Sequence, residues 1–282
     1  IVAGADLWDD IRKEDNYVTV EYPFDCLNIK THGLRKGELV TVTAGSGVGK
    51  SSFCRHVALH LLKKNFSVGY IALEESIKRS ALGIMGIELG KPLHLDRTGV
   101  DDKKLKTVFD KTVGSGKFYL YNHFGSTASD NLLSKIRYLA KGCGVDFVIL
   151  DHLHMALSAV GDETTSDERK LIDYTVSKLR TLVEETGIGL ILVSHIKRPE
   201  GNKGYEDGVA VSMNSLRGSA SIGQLSDMII SMSRDLQSDK NLAQVNILKN
   251  RFSGETGKAC TLYYDLATGC LTETDGDVQD DF

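Results

Sequence analysis

The sequence predicts an α/β protein with a mostly parallel central sheet flanked by helices and antiparallel strands added in the C-terminal third. Three observations predict it. Short apolar runs without polar alternation recur from residue 37 onward, and such runs are strands covered on both faces. Stretches of helical periodicity separate them, as in repeated βαβ units. After residue 227 the runs are joined by turn pairs such as Ser253-Gly254 and Thr268-Gly269, which predicts hairpins at a sheet edge.

Residues 5–15 place Leu7, Trp8 and Ile11 on one side of a short amphipathic helix, either an arm that packs on a neighbour or a frayed end. Residues 39–43 are strand-like. Residues 51–64 are helical, with Phe53, Val57, Leu61 and Leu62 at helical spacing. A strand at 68–73, a helix at 76–89, a short strand at 118–121 and a helix at 131–139 follow. Residues 146–151 (DFVILD) are an apolar strand ending in a carboxylate, 167–185 a long helix and 188–195 (IGLILVSH) another buried strand. The C-terminal strands fall at 228–232, 243–249, 260–264 and 271–273. The chain thus divides into an N-terminal arm (1–24), a body (25–272) and an acidic tail (273–282) expected to be disordered.

At 282 residues, 41% hydrophobic and 26% charged, the composition is that of an ordinary folded protein. No apolar run approaches the roughly 18 residues of a membrane span, and no secretory signal opens the chain, so no membrane partner is expected. The start at Ile1 rather than Met leads us to expect a piece of a longer chain. Five cysteines, an odd number with no C-x-x-C, argue against a disulfide framework and a zinc site, and for a reducing compartment. The last ten residues carry five carboxylates and no Lys or Arg. Without them the formal charge moves from −4 to +1. A near-neutral body must bind any nucleic acid through local basic loops.

The strongest signal is Ala44-Gly45-Ser46-Gly47-Val48-Gly49-Lys50-Ser51, continued by Ser52, between a strand and a helix. That is the context of a phosphate-binding loop. Gly45, Gly47 and Gly49 let backbone N–H groups wrap a phosphate chain, and the helix N-terminus adds a favourable dipole. Lys50 then reaches the β- and γ-phosphates and Ser51 ligates Mg²⁺. Ala44 stands where the strict pattern has Gly, which leaves the three wrapping glycines intact. Asp151, at the tip of a buried strand, is placed to hold the same Mg²⁺ through water. Glu74, just past the strand at 68–73, is the candidate base that orients the attacking water. Glu75 competes with it, or favours the next helix's N-terminus. His195 ends a strand and is placed to contact the γ-phosphate. The polar loop after it carries Lys197, Arg198, Asn202 and Lys203, suited to a nucleic-acid backbone or to plain solvent. Lys249 and Arg251 point to one side of a strand end. They suit either a finger on a neighbouring subunit's nucleotide or a surface pair.

These residues occur with Leu73-Glu74-Glu75-Ser76, Ile149-Leu150-Asp151-His152, Ser166-Asp167-Glu168-Arg169-Lys170, Ser194-His195, Leu216-Arg217-Gly218-Ser219, Gln224-Leu225-Ser226-Asp227 and the run 249–257, in that order. The set resembles the helicase domain of phage primase–helicases, of the T-odd podophage replicative type with mitochondrial Twinkle more distant, over residues 25–270. The resemblance implies a RecA-like P-loop NTPase core in a hexameric ring. Such rings hydrolyse ATP or dTTP with Mg²⁺ at subunit interfaces and move 5′ to 3′ on single-stranded DNA, unwinding duplex. It implies Glu74 as the base, His195 as a γ-phosphate sensor, and Arg251 as a finger in trans with Lys249 beside it. Arg234 and Tyr264 align with the pair that sandwiches the nucleotide base, and Lys197, Arg198, Asn202, Lys203, Arg217 and Gly218 with DNA-binding positions. It further implies a primase region before residue 1, a replicative DNA polymerase docked on the tail ending in Phe282, and the cytoplasm of an infected bacterial host. One departure stands out: the family's arginine before Gln224 is Gly223 here. A RecA-like recombinase on an open filament and a DNA-independent P-loop enzyme remain the alternatives.

Overall fold

The computed structural model describes residues 3–12, 18–122, 131–153, 168–196, 205, 207–216 and 220–275. Its helices are α1 (Trp8–Ile11), α2 (Asp25–Thr31), α3 (Lys50–Lys63), α4 (Ile77–Leu89), α5 (Asp102–Lys111), α6 (Asn131–Lys141), α7 (Glu168–Thr186) and α8 (Ala220–Leu225). Strands β1 (Thr19–Val20) and β2 (Leu34–Arg35) form a small antiparallel pair. The main sheet comprises β3 (Leu39–Ala44), β4 (Val68–Ala72), β5 (Phe118–Leu120), β6 (Phe147–Asp151), β7 (Gly189–His195), β8 (Met228–Ser233), β9 (Leu242–Asn250), β10 (Gly257–Asp265) and β11 (Cys270–Thr274). Their order is β11-β10-β9-β8-β3-β7-β6-β4-β5. Neighbours from β8 through β5 are parallel, and the pairs from β8 out to β11 are antiparallel.

Every residue of β3, β4, β6 and β8 is buried, which is why these runs carry no polar alternation. One face meets Phe53, Val57 and Leu61 of α3. The other meets Leu132 and Ile136 of α6 and Ile172, Val176, Leu179 and Val183 of α7. Each such side chain stabilises the fold by about 1.5–3 kcal/mol. In β9 burial alternates through Ala243, Val245 and Ile247, the pattern of a strand with one covered face. Strand register sets the tips in a row. Ala44 pairs with both His195 and Met232, and Ala72 with Asp151. The carboxyl edge of such a sheet is where α/β folds bind ligands.

Asp146 staples the start of β6. Its carboxylate accepts from Lys36 Nζ at 2.8 Å, Ser67 N at 2.9 Å and Ser67 Oγ at 2.7 Å. Burial alone would raise its pKa, but the bonds from Lys36 and Ser67 outweigh it and hold the group below the usual value. A depressed folded-state pKa gives stability that is present above the unfolded value and lost as pH falls through the folded one. Asp146→Asn is therefore expected to lower the unfolding free energy at pH 7 by about 1–3 kcal/mol. In denaturant titrations the gap should close below about pH 4.

Several expectations are corrected. A 3-10 turn at Gly4–Leu7 and the single turn of α1 stand in place of a continuous helix over 5–12. Leu7, Trp8 and Ile11 are 38%, 67% and 69% exposed, so burial does not reward helix propagation there. The body begins before residue 25: Val20, Tyr22 and Phe24 lie in the core, with Phe24 stacked 5.6 Å from Phe53. β11 runs on to Thr274, paired with Thr261. Cys26 on α2 and Cys260 on β10 are disulfide-bonded, with Cα atoms 5.6 Å apart. They are 234 residues apart in sequence, and the packing of α2 on β10 brings them together. α5 is an addition to the expected elements: its Leu105 and Val108 pack with Met85 and Leu93, and it starts where the Asp101 carboxylate accepts from Lys104 N at 2.7 Å.

Candidate nucleotide-binding site

The turn from β3 into α3 needs glycine for two reasons. Gly47 and Gly49 have φ of 74° and 114°, in the left-handed region. At Gly45 a Cβ would sit 2.8 Å from the Cβ of Tyr205. Lys50 begins α3, and its buried Nζ donates to Ala44 O at 2.9 Å and Gly45 O at 2.8 Å. Burial pushes its pKa down, against the pull of Asp151 and Glu74. Ser51 Oγ donates to Asp151 Oδ2 at 2.6 Å. Burial pushes the Asp151 carboxyl up, and the bond from Ser51 opposes it. A hydroxyl and a carboxylate side by side, all oxygen, fit a hard cation such as Mg²⁺. A cavity of about 220 Å³ opens over this pair, lined also by Ser46, Gly47, Ser52 and Glu74.

The two adjacent glutamates part company. Glu75 is held by Arg55 Nη2 at 2.6 and 2.7 Å and accepts from Ser80 Oγ at 2.7 Å. Glu74 lines the cavity, and its Oε1 lies 2.6 Å from Nε2 of His152. The His152 ring packs edge-on against His195, with centroids 4.1 Å apart. Both histidines line the same cavity. The donor atoms of Glu74, His152 and His195 all lie within 4.8 Å of one another.

Lys249 and Arg251 are not with these groups. Lys249 Nζ donates to Gly223 O at 2.6 Å and Gln224 O at 3.1 Å. Arg251 also donates to Gln224 O, and it pairs with Asp227 Oδ1 at 3.3 Å. Asp227 Oδ2 accepts from Leu39 N at 2.9 Å, so this cluster sits at the amino end of β3. The phosphate loop leaves the other end of that strand, about 17 Å away at the usual rise per residue.

Arg234 and Tyr264 meet through Asn241: the Arg234 guanidinium donates to its side-chain oxygen, and Tyr264 N to its carbonyl at 2.9 Å. Neither lines the cavity. Lys197, Arg198, Asn202, Lys203, Arg217 and Gly218 lie outside the described residues, as does the tail from residue 276 to Phe282. An isolated antiparallel bridge pairs Ile196 with Leu216.

The model for the DnaB-like helicase C-terminal domain matches residues 19–269. The chain belongs to this family. It is 40% identical over 251 residues to a protein named DNA helicase/primase of Enterobacteria phage T3, covering 87% of this chain and 44% of that one. It is 27% identical over 250 residues to a probable plasmid replicative DNA helicase of Chlamydia psittaci, covering 85% and 52%. The chain thus spans about half the length of these relatives. The fold is RecA-like. It matches a solved DnaB-like replicative helicase with a TM-score of 0.73 at 19% identity, covering 95% of this chain and 65% of that one. A KaiC-like protein of Pyrococcus horikoshii matches with a TM-score of 0.61 at 17% identity, covering 92% and 99%.

In this DnaB-type domain the motifs 149–152 and 224–227 include His152 and Asp227 without giving either a role, and no motif includes Asn241. His152 had a signal, its place beside Asp151 at a strand tip. The partners of Asp227 and Asn241 had no signal, because strand order rather than spacing sets them.

Proposed function

We propose that this chain is the motor domain of a replicative DNA helicase, which binds NTP and Mg²⁺ between subunits of a hexameric ring. One observation carries the reading: the phosphate loop, Asp151 and Glu74 share the carboxyl edge of the sheet, while Arg251 and Lys249 sit at the opposite end of β3. A neighbour placed head to tail completes the site, and heterologous contacts of that kind close into rings where the rotation between subunits closes.

In this reading the loop N–H groups and Lys50 hold the β- and γ-phosphates. Ser51, and Asp151 through water, would hold Mg²⁺, which would supply positive charge against those phosphates. Glu74 takes the proton of the attacking water, and His195 reads the presence of the γ-phosphate. Arg251 of the next subunit stabilises charge on the transferring group. Arg234 and Tyr264 hold the base of ATP or dTTP. Lys197, Arg198, Asn202, Lys203, Arg217 and Gly218 grip single-stranded DNA, along which the motor moves 5′ to 3′ as the γ-phosphate is lost. The name of the phage T3 relative supports a primase region in the same parent chain and work inside an infected host cell. Among the described residues no helix is long and apolar enough to cross a membrane. The acidic end docks the replicative polymerase.

NTP turnover with and without single-stranded DNA tests the proposal. Strong stimulation that weakens as salt rises is expected, because phosphate contacts release counterions. Turnover indifferent to DNA would overturn it in favour of a DNA-independent enzyme. Open filaments instead of rings in electron micrographs with DNA would favour a recombinase.

A further inference from the structure

We infer that His152 is the positioning residue for Glu74, fixing the carboxylate that activates water. The inference rests on Glu74 being that base. Glu74 needs such a partner. It lies just past the end of β4, its side chain is 58% exposed, and a free glutamate spreads over many rotamers, few of them aimed into the cavity. The backbone brings it part of the way: Leu73 N donates to Asp151 O at 2.7 Å, which extends the pairing of β4 and β6 to the residue before Glu74. His152 does the rest. It follows Asp151 directly, so the strand that presents the Mg²⁺ ligand also presents this ring. The residue is only 4% exposed, and the imidazole of His195 packs edge-on against it at 4.1 Å and 77°. A ring so enclosed has one orientation, and its N–H donates to Glu74 Oε1 at 2.6 Å. Oε2 is left to accept from water. Catalytic groups act only when held near productive geometry, so a buried donor on an exposed base is a preorganising contact. Glu75 gains nothing from His152, because Arg55 and Ser80 hold it elsewhere.

The contact also joins the base to His195, the residue that faces the γ-phosphate in the proposed mechanism. The three side chains form one packed row, so a shift at His195 displaces the ring that holds Glu74.

The test is steady-state hydrolysis by the full chain with saturating single-stranded DNA, comparing wild type, His152→Ala, His152→Gln and Glu74→Ala. His152→Ala is expected to lower kcat about 10²-fold, the usual result of misplacing a reacting group. KM and the Kd of a non-hydrolysable NTP should stay within about twofold, since ground-state binding is untouched. His152→Gln presents an amide N–H where Nε2 stood and should recover most of the lost kcat. A His152→Ala enzyme with wild-type kcat, while Glu74→Ala is inactive, would overturn the inference and leave Glu74 as the base. Equal loss of nucleotide binding in both His152 variants would overturn it too, showing a residue needed only for folding. Wild-type turnover by Glu74→Ala would remove the base itself, and the inference with it.

Discussion

An Arg251→Ala variant is expected to bind NTP normally and to hydrolyse it about 10³-fold more slowly, the lower end of what arginine fingers contribute. Two facts lie behind this. Arg251 is at the amino end of β3, so it cannot touch the phosphate loop of its own chain. It is also pre-set: Asp227 and the Gln224 carbonyl hold its guanidinium, and Asp227 is in turn paired with Arg180. A braced cation loses little further freedom when a neighbour's nucleotide arrives. Subunit mixing makes the test specific. Rings of Arg251→Ala or of Lys50→Ala alone should be inactive. Equal mixtures should recover about a quarter of the sites, because a heterologous interface then pairs an intact Lys50 with an intact Arg251 by chance. Mixtures that stay inactive would place both residues in one subunit's site, against the geometry.

Replacing Lys50 by Ala should abolish measurable hydrolysis, with a loss of at least about 10²–10³-fold from removing one buried positive donor at the phosphates. Nucleotide binding should weaken as well, which separates this variant from Arg251→Ala. Lys50 Nζ also braces the loop through the Ala44 and Gly45 carbonyls, so Lys50→Met, which keeps the length of the chain, isolates charge from packing. Robust turnover by both variants would sink the phosphate-loop reading.

Most of the sheet was legible in the sequence because a buried parallel strand is a short, unbroken apolar run. Strands β3, β4, β6 and β7 lie within a residue or two of where those runs predict them. The phosphate loop was legible for a similar reason: its chemistry is carried by eight adjacent residues, and a positive φ at Gly47 and Gly49 demands a particular residue type. The elements missed were α2, α5, α8 and the β1–β2 pair, which are short or charged and owe their form to what they pack on.

By itself, then, the sequence determined the fold class, the strand tips and the phosphate loop, all set by neighbours along the chain. Only the tertiary structure decided how the tips combine. It turned Glu74 into the cavity and Glu75 onto Arg55, set His152 between Glu74 and His195, and joined Cys26 to Cys260. It also put Arg251 at the far end of the sheet from Lys50. The reason is physical: these contacts follow from strand order, strand register and side-chain packing, which bring together residues that no local pattern links.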